Sequence, residues 1–237
     1  MGLMGTWLMT NPPQGYRPAG WTPPAAAAGR RDFTTAEMLG TPQFYLLWVT
    51  YCLGTTAGQM TISQLVPFAT SAGGVASVAL LVGASGNAAG RILSGWLSDA
   101  VGRVTTLRIM VLISAVAMPL LFAFREQLLL LYILLAAVYW CYGTQLSVFA
   151  STTADLYGTR NLGMNYGVLF TAWGVAGILG PIIAGRVFDA TKSYQYAFYA
   201  ASGLALVAFA SLLMAKPTVS APEPAAATMG AAQLGKA

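Results

Sequence analysis

The fold of this chain is predicted most directly from one stretch, Asn87-Ala-Ala-Gly-Arg-Ile-Leu-Ser-Gly-Trp-Leu-Ser-Asp-Ala-Val-Gly-Arg103. It closes a long apolar run and leaves that run through the pattern Gly-x-Leu-Ser-Asp-x-x-Gly-Arg at residues 95–103. An arginine, Arg91, lies inside the apolar run, eight residues before Asp99. In a helix that separation is about 12 Å, so a charged side chain well inside an apolar segment needs a physical explanation.

Composition assigns the chain to the integral helical membrane proteins. Of its 237 residues, 57% are hydrophobic and only 8% are charged, whereas soluble domains carry about 25% charged residues. The apolar residues come in blocks of about 20, the length of helix that crosses a bilayer. The net charge of +5 is spread over short loops without a basic cluster, which argues against a nucleic-acid partner.

The residue types argue against most enzymatic sites. The chain has no histidine, and its two cysteines, Cys52 and Cys141, both lie inside apolar runs. Zinc sites and Ser-His triads therefore lack their usual residues, and the cysteines are interpreted as small apolar side chains, with a disulfide as the alternative. No pair of acids occurs in the middle of an apolar segment. We expect neither an enzyme nor a cofactor or metal site.

The chain divides into four predicted parts. An apolar start too short to span a membrane precedes a segment rich in Pro, Ala and Gly, which is typical of a linker. Six apolar segments follow, near residues 43–70, 74–97, 104–124, 127–150, 165–188 and 196–215. The Ala/Pro-rich remainder has a composition that favours disorder. The parts are residues 1–10, the linker 11–41, the six-helix part 42–215 and the tail 216–237.

Lysine and arginine positions predict the orientation. With the linker on one side of the membrane, that side collects eight of these residues and the other side three. Since positive residues are enriched in cytoplasmic loops, we expect the linker, the loops 98–104 and 155–164 and both chain ends in the cytoplasm. The third and sixth segments are almost purely apolar and suit the lipid-facing periphery. The helices thus group as three plus three, the pattern of inverted repeats.

Arg91 is the strongest candidate for a binding residue. A charge near mid-membrane costs at least ~2.5–3.5 kcal/mol, so it is normally turned towards water, a counter-charge or a ligand. Gly83, Asn87 and Ser94 recur at helical spacing with it and form a small, polar stripe. No acidic residue lies in the middle of the six segments, so an anion is the simplest counter-charge, because guanidinium binds carboxylate in a bidentate manner. The alternative is an arginine that extends to the cytoplasmic face or binds backbone carbonyls.

Aromatic side chains in the fourth and fifth segments are candidates for cavity walls. Tyr139 and Trp140 lie in the middle of the fourth segment, where an interfacial aromatic belt does not explain them. Phe170 and Trp173 are three residues apart in the fifth and share one face of a helix. For each of these residues, packing or interhelical hydrogen bonding is the alternative. The glycines of the fifth segment predict close helix packing, and Pro181 predicts a kink.

Gly95, Asp99, Gly102 and Arg103 belong to a pattern that resembles the cytoplasmic loop signature of major facilitator superfamily transporters. The glycines permit close backbone approach and a tight turn. Asp99 and Arg103 can pair across the turn and with helix ends of opposite dipole. The resemblance implies that these four residues form a conformational latch, and an ordinary positively charged turn is the alternative.

Four blocks resemble the oxalate/formate antiporter family of that superfamily. They are Thr41-Pro-Gln-Phe-Tyr-Leu-Leu-Trp48, Asn87-x-x-Gly-Arg91, Asp155-Leu-Tyr-Gly-x-Arg160-Asn-x-Gly163 and Asn165-Tyr-Gly-x-Leu-Phe-Thr-Ala-Trp173-Gly-Val-Ala-Gly177. All resemble the second six of that family's twelve helices, and Met1–Thr10 resembles the end of its sixth. The resemblance implies an all-α integral membrane fold of two inverted three-helix repeats, which is half of the twelve-helix fold.

The same resemblance implies a substrate site. Arg91 is expected to bind a substrate carboxylate, surrounded by Asn87, Tyr139, Trp140, Phe170 and Trp173. Trp173 stands where oxalate-carrying members have a lysine as a second cation. Because oxalate has two carboxylates and this chain keeps one of the two cations, we expect a monocarboxylate, or an anion carried together with a proton.

A mechanism and a partner also follow from the resemblance. The substrate of such proteins lies between two six-helix halves, and alternating access rocks one half against the other. We expect a secondary active antiporter or symporter of small organic anions in the lipid bilayer of the inner (plasma) membrane, represented here by a C-terminal half that pairs with an N-terminal half. A non-transporting membrane fragment or assembly partner is the alternative.

Overall fold

The computed structural model describes residues 31–215, which are helical apart from short connections. Within these residues there is no strand, and the helices are α1 (Thr35–Leu39), α2 (Pro42–Ser63), α3 (Leu65–Ser71), α4 (Ala76–Val101), α5 (Arg103–Ala123), α6 (Leu128–Tyr157), α7 (Leu162–Thr191) and α8 (Tyr194–Met214). The predicted helix end at residues 1–10, most of the linker and the tail from residue 216 lie outside the described residues.

Six of these helices are long, with 21 or more residues each. Five of them, α4 to α8, are long and apolar enough to cross a membrane. The sixth, α2, has 22 residues, but threonine, glycine and glutamine interrupt its apolar residues. The protein is a multi-pass helical membrane protein, and its long helices occupy the predicted segments, with α6 extended to Tyr157.

The first predicted segment, residues 43–70, is two helices rather than one. α2 ends at Ser63 and α3 begins at Leu65. Pro67 explains the break, because its nitrogen has no hydrogen to donate to the carbonyl of Ser63 and its ring would clash with that carbonyl in a continuous helix. A single helix across this segment was therefore the wrong prediction.

The six long helices form two successive groups of three, and the helices of each group pack mainly against those of the other. In the first group are α2, α4 and α5, and in the second α6, α7 and α8. The most extensive contact is between α4 and α6, and its equivalent under exchange of the groups, α2 with α7, comes next. α2 also packs on α8, α5 on α6, and α5 on α8. Since each group has three successive helices, the second group starts on the opposite side of the membrane, so the repeats are inverted as predicted.

Glycines bring α4 against α6. A Cβ added at Gly86 would lie 2.6 Å from the carbonyl oxygen of Ala136, and one added at Gly143 would lie 3.2 Å from the Cα of Asn87. Such small residues let helix backbones approach closely. The buried side of α4 carries Ala79, Gly83, Gly86, Gly90, Ser94 and Ser98. The predicted polar stripe is therefore divided: Gly83 and Ser94 face α6, whereas Asn87 and Arg91 lie at the edge of the contact.

The glycines of α7 behave differently from one another. A Cβ added at Gly180 would lie 2.5 Å from the Cβ of Gln59, so α7 crosses α2 closely there. Positions Gly167, Gly174 and Gly177 have no neighbouring atom within 4 Å of an added Cβ. α4 and α7 are also the least buried of the five apolar helices, with 22% and 28% of an 18-residue apolar stretch buried, against 50% for α5. These two helices keep faces that nothing in residues 31–215 covers.

Two polar contacts fasten α5 to α8. Pro119 lies inside α5 and leaves the carbonyl of Ala115 without its helical donor. Ser202 of α8 donates a hydrogen bond to that carbonyl at 2.6 Å. Nearer the start of α5, Arg108 donates from Nε and Nη2 to the carbonyl of Leu212 at 3.1 and 2.8 Å. That carbonyl belongs to the last turn of α8, where a cation is also favoured by the helix dipole.

Candidate functional site

Arg91 opens into a pocket between α4 and α6. The pocket has a volume of about 510 Å³ and is lined by Leu80, Ala84, Asn87, Ala88, Arg91 and Tyr139. The Nε of Arg91 donates a hydrogen bond to Oδ1 of Asn87 at 3.0 Å. This bond holds one edge of the guanidinium and leaves both terminal nitrogens available, so Asn87 orients Arg91 rather than neutralising it.

The charge of Arg91 has no carboxylate partner among residues 31–215, where every recorded ion pair involves another cation. Its side chain is exposed towards the pocket that it shares with Asn87 and Tyr139. Such an arrangement suits a bound anion better than a structural ion pair.

Tyr139 is positioned by a glycine on the facing helix. Its side chain is 8% exposed, and a Cβ added at Gly83 would lie 2.9 Å from its ring. The absence of a side chain at Gly83 thus lets the ring pack closely against α4 and line the Arg91 pocket.

Trp140 has a different environment from its neighbour in sequence. Its Nε1 donates to Oγ of Ser94 at 2.7 Å, and the hydroxyl of Thr144 lies 2.7 Å from the same oxygen. The indole N–H is therefore used to fasten α6 to α4, and only the ring face remains for another role. Trp140 does not line the Arg91 pocket.

Phe170 and Trp173 belong to an aromatic cluster on α7. Their rings are stacked, with centroids 5.2 Å apart and planes at 8°. Tyr166 continues the cluster at 5.5 Å from Phe170, and its hydroxyl is 3.4 Å from that of Tyr51. The Nε1 of Trp173 donates to the hydroxyl oxygen of Tyr142 at 2.9 Å, so this cluster is joined to α6.

The structure thus groups the predicted site residues in three places. Asn87, Arg91 and Tyr139 share the pocket, Trp140 lies in the α4–α6 contact, and Phe170 and Trp173 form the stacked pair on α7. Sequence reasoning did not include Tyr142 or Tyr166 in the site. The spacing of Tyr166, Phe170 and Trp173 on one face of α7, and of Tyr139 and Tyr142 on α6, was the signal that pointed to them.

Arg103 is the centre of a polar cluster at the end of α4. It forms an ion pair with Asp99 and a hydrogen bond with Ser98, its Nη1 lies 3.4 Å from the Gly95 carbonyl, and its Nε lies 3.4 Å from Oδ2 of Asp155 on α6. The predicted contact between Asp99 and Arg103 is present, and Asp155 extends it to the second repeat.

The backbone of this cluster differs from the prediction of a loop at residues 98–104. α4 remains helical through Val101, and the turn is confined to Gly102, whose φ of 93° is in the region that favours glycine. Gly95 has no atom within 4 Å of an added Cβ, so it does not permit a close backbone approach within residues 31–215. The helix continues to Val101 because residues 98–101 contain neither glycine nor proline.

The segment before α2 is fastened to the turn between α6 and α7. The carbonyl of Phe33 accepts from Nδ2 of Asn161 and Nδ2 of Asn165, both at 3.0 Å, and the backbone N–H of Phe33 donates to the carbonyl of Tyr157 at 2.9 Å. The hydroxyl of Thr35 donates to Oδ1 of Asn165 at 2.8 Å. Asn165 is fully buried and therefore serves as a structural anchor.

A capping box starts α1 within that segment. Oε2 of Glu37 accepts from the backbone N–H of Thr34 at 2.8 Å and from its hydroxyl at 2.9 Å, and the backbone N–H of Glu37 donates back to Thr34 Oγ1 at 3.3 Å. The hydrogen bond from the Thr34 N–H, followed by those from the Thr34 hydroxyl and Arg31, lowers the pKa of Glu37.

Comparison with known proteins agrees with this arrangement. The family model described as the Major Facilitator Superfamily matches residues 47–235. The oxalate:formate antiporter of Oxalobacter formigenes is 28% identical over 198 residues, which are 81% of this chain and 47% of that protein. The uncharacterized MFS-type transporter YhjX of Escherichia coli (strain K12) is 29% identical over 152 residues, 62% of this chain and 38% of that protein. Monocarboxylate transporter 14 of Mus musculus is 38% identical over 68 residues, 29% of this chain and 13% of that protein.

The coverage of the relatives and of this chain decides what the similarity shows. The chain spans about half the length of the first of these relatives, at 47%. The family model covers well over half of this chain, and the helices form the inverted three-helix groups described above. The chain therefore belongs to the major facilitator superfamily, and the resemblance to its oxalate/formate antiporter family is confirmed at modest identity.

Proposed function

We propose that this chain supplies one half of a secondary active transporter for small organic anions. The observation that carries the proposal is Arg91, a membrane-embedded cation that has no carboxylate partner in residues 31–215 and opens into a pocket of about 510 Å³. A charge held within the membrane without a partner is unfavourable. A carboxylate ligand supplies the missing counter-charge through charge-assisted hydrogen bonds.

A monocarboxylate fits the site better than oxalate. The position expected to carry a second cation is Trp173, and its only hydrogen-bond donor is already given to Tyr142. A second carboxylate would lose its hydration without gaining a charged partner there. The names of two relatives, an oxalate:formate antiporter and a monocarboxylate transporter, support small carboxylates as the class. Exchange of one such anion for another and symport of an anion with a proton are both forms of secondary active transport.

The uncovered faces of α4 and α7 support a second half as partner. Arg91 lies on α4, and α7 carries five glycines at which an added Cβ would meet no atom of residues 31–215 within 4 Å. Glycine faces of this kind accept a closely packed helix. We propose that an N-terminal six-helix half covers these faces, that the substrate lies between the halves, and that alternating access is the rocking of one against the other.

The cluster around Arg103 is proposed as the cytoplasmic latch of this motion. Gly95, Asp99, Gly102 and Arg103 bring the end of α4 to Asp155 on α6. The positive-inside rule supports our proposal that the α4–α5 and α6–α7 turns and the chain ends lie in the cytoplasm and that the protein belongs to the inner (plasma) membrane. Release of the ion pairs would accompany opening towards the cytoplasm.

Uptake of labelled formate, oxalate, pyruvate and lactate into vesicles tests the function. The chain is produced alone and together with a separately expressed N-terminal half. We expect uptake of the monocarboxylates only from the pair, and its loss in Arg91→Gln and in Arg91→Lys at unchanged membrane content, because a lysine cannot bind carboxylate in a bidentate manner. Arg125→Gln is the matched control, since Arg125 lies at the other end of the fold, where it pairs with Glu126. Normal uptake by Arg91→Gln would refute the role of Arg91.

An assembly partner that does not itself contact the substrate is the second candidate, favoured by the extent of uncovered surface on α4 and α7. The mass of the purified chain in detergent shows whether it forms a complex, and transport by that complex distinguishes the two. A stable complex that transports equally well with Arg91→Gln would favour this second candidate.

A further inference from the structure

Residues 32–41, here called the strap, contact the end of α6 and the turn that follows it. Besides the backbone bonds of Phe33 described above, Oδ1 of Asp32 accepts from the backbone N–H of Arg160 at 3.1 Å. The rings of Phe33 and Tyr157 meet edge to face with centroids 5.6 Å apart. The hydroxyls of Thr41 and Tyr157, which are 116 residues apart in the chain, lie 3.1 Å from each other. The strap is therefore docked by tertiary contacts along its whole length.

The docking of the strap depends on a glycine in the turn. Gly158 has a φ of 81°, in the region that favours glycine. A Cβ added there would lie 2.9 Å from the Cα of Asp32, closer than Cβ atoms approach other atoms in proteins. Any other residue at this position would displace the turn or the strap. The turn thus has both the backbone conformation and the open space that the strap requires.

The end of α6 that the strap holds also carries a carboxylate of the Arg103 cluster. Oδ2 of Asp155 lies 3.4 Å from Nε of Arg103, and Asp155 precedes Tyr157 by two residues, about 3 Å along the helix axis. Since coupling is carried by rigid helices and hydrogen-bond networks, a displacement of the helix end at Tyr157 also displaces Asp155. The strap and Arg103 therefore hold the same helix end at neighbouring positions.

We propose that the strap is a conformational device that couples the chain before residue 32 to the Arg103 cluster. While the strap is docked, the end of α6 stays where Asp155 contacts Arg103. When the preceding chain pulls Asp32 and Phe33 away from the turn, this end of α6 is released and the contact with Arg103 is lost. The inference rests on the proposed function in one respect, since it takes the Arg103 cluster as a latch whose opening accompanies transport.

A coupling of this kind acts in both directions. If docking of the strap stabilises the contact between Arg103 and Asp155, that contact stabilises docking by the same factor. A clasp that fixes only the turn has no such reciprocal effect. Exchange of backbone amide hydrogens measures the two ends separately, because it reports the opening of each segment.

Hydrogen exchange of the purified chain in detergent, resolved by segment, is compared between variants. Asp32→Ala removes the acceptor of the Arg160 N–H, and Asn161→Ala removes one of the two donors to the Phe33 carbonyl. Each substitution should raise the exchange rate of the turn, residues 157–165, about 5-fold, as the loss of one hydrogen bond allows.

The coupling itself is read at the other end of the contact. Both substitutions should also raise the exchange rate of residues 98–106, about 2-fold, because only part of the effect is transmitted. In the reverse direction, Arg103→Gln should raise the exchange rate of the strap. Glu37→Gln is the matched control, since Glu37 lies in the strap but its carboxylate binds within the strap and to Arg31 rather than to the turn. It should leave residues 98–106 unchanged.

The outcomes are distinct from those that test the proposed function. If Asp32→Ala and Asn161→Ala loosen the turn but leave residues 98–106 unchanged, the strap is a local clasp and the inference is wrong. It is equally wrong if neither substitution changes the exchange rate of the turn. Neither result concerns Arg91, whose role is judged by uptake into vesicles. Absence of uptake by the paired halves, with coupled exchange intact, would refute the proposed function and leave the coupling in place.

Discussion

The contact between Ser202 and Ala115 allows a prediction that can be worked out in free energy. Pro119 has no N–H, so the Ala115 carbonyl has lost its helical donor, and Ser202 Oγ, 9% exposed, donates to it at 2.6 Å. Interhelical hydrogen bonds in membranes average about 0.6 kcal/mol and reach about 1.7 kcal/mol. The higher value applies here, because Ser202→Ala leaves a buried carbonyl without any donor.

A double-mutant cycle isolates this effect. Pro119→Ala restores the N–H that the Ala115 carbonyl lacks, so Ser202→Ala should then destabilise the chain by only about 0.5 kcal/mol. The expected coupling between the two substitutions is about 1 kcal/mol. The free energy of unfolding is measured by titrating the detergent-solubilised protein with a denaturing detergent.

The control is Ser211→Ala on the same helix. Ser211 donates to the carbonyl of Leu46 at 3.1 Å, but that carbonyl also accepts from the hydroxyl of Thr50 at 2.7 Å and no proline follows it four residues later. This substitution should cost less than Ser202→Ala. If the effects of Ser202→Ala and Pro119→Ala simply add, the explanation from the missing proline donor is wrong.

Two further predictions concern the α7–α2 crossing and the start of α1. Gly180→Ala should lower the free energy of unfolding by about 1–3 kcal/mol, because the new methyl group meets Gln59. Gly174→Ala should instead be neutral or stabilising by up to about 1 kcal/mol and should weaken binding of a partner half. Equal effects of the two substitutions on the free energy of unfolding would contradict the assignment of the two faces of α7. The lowered pKa of Glu37 means that its contribution to α1 is present above the unfolded pKa and is lost as pH falls through the folded value. The protection of residues 35–39 against amide exchange, measured relative to the intrinsic exchange rate at each pH, should therefore decrease in acid, and Glu37→Gln should remove that dependence.

Part of the site was accessible from sequence because it depends on local rules. Arg91 is anomalous in any apolar helix, and its spacing from Asn87 puts both on one side of that helix. The pairing of Asp99 with Arg103 also follows from their i, i+4 spacing. The roles of these residues in binding and gating stay predictions until transport is measured.

Other features could not be predicted in this way because they join residues far apart in the chain. Trp140 and Trp173 are similar in sequence context, yet one donates to Ser94 of α4 and the other to Tyr142 of α6. Which partner each indole finds depends on helix crossing and rotation. The same holds for the partners of the Tyr142 hydroxyl, which are donors on α2 and α7.

The sequence by itself determined the membrane class, the number of long helices, their three-plus-three grouping and the anomalous cation, because hydropathy, segment length and charge are properties of the chain alone. The tertiary structure decided which glycines meet a neighbour, that Ser202 rather than a helical N–H donates to the Ala115 carbonyl, and that the Tyr142 hydroxyl accepts from Gln59 and Trp173. Those outcomes depend on the approach and rotation of whole helices, which are set by the sum of all contacts between them.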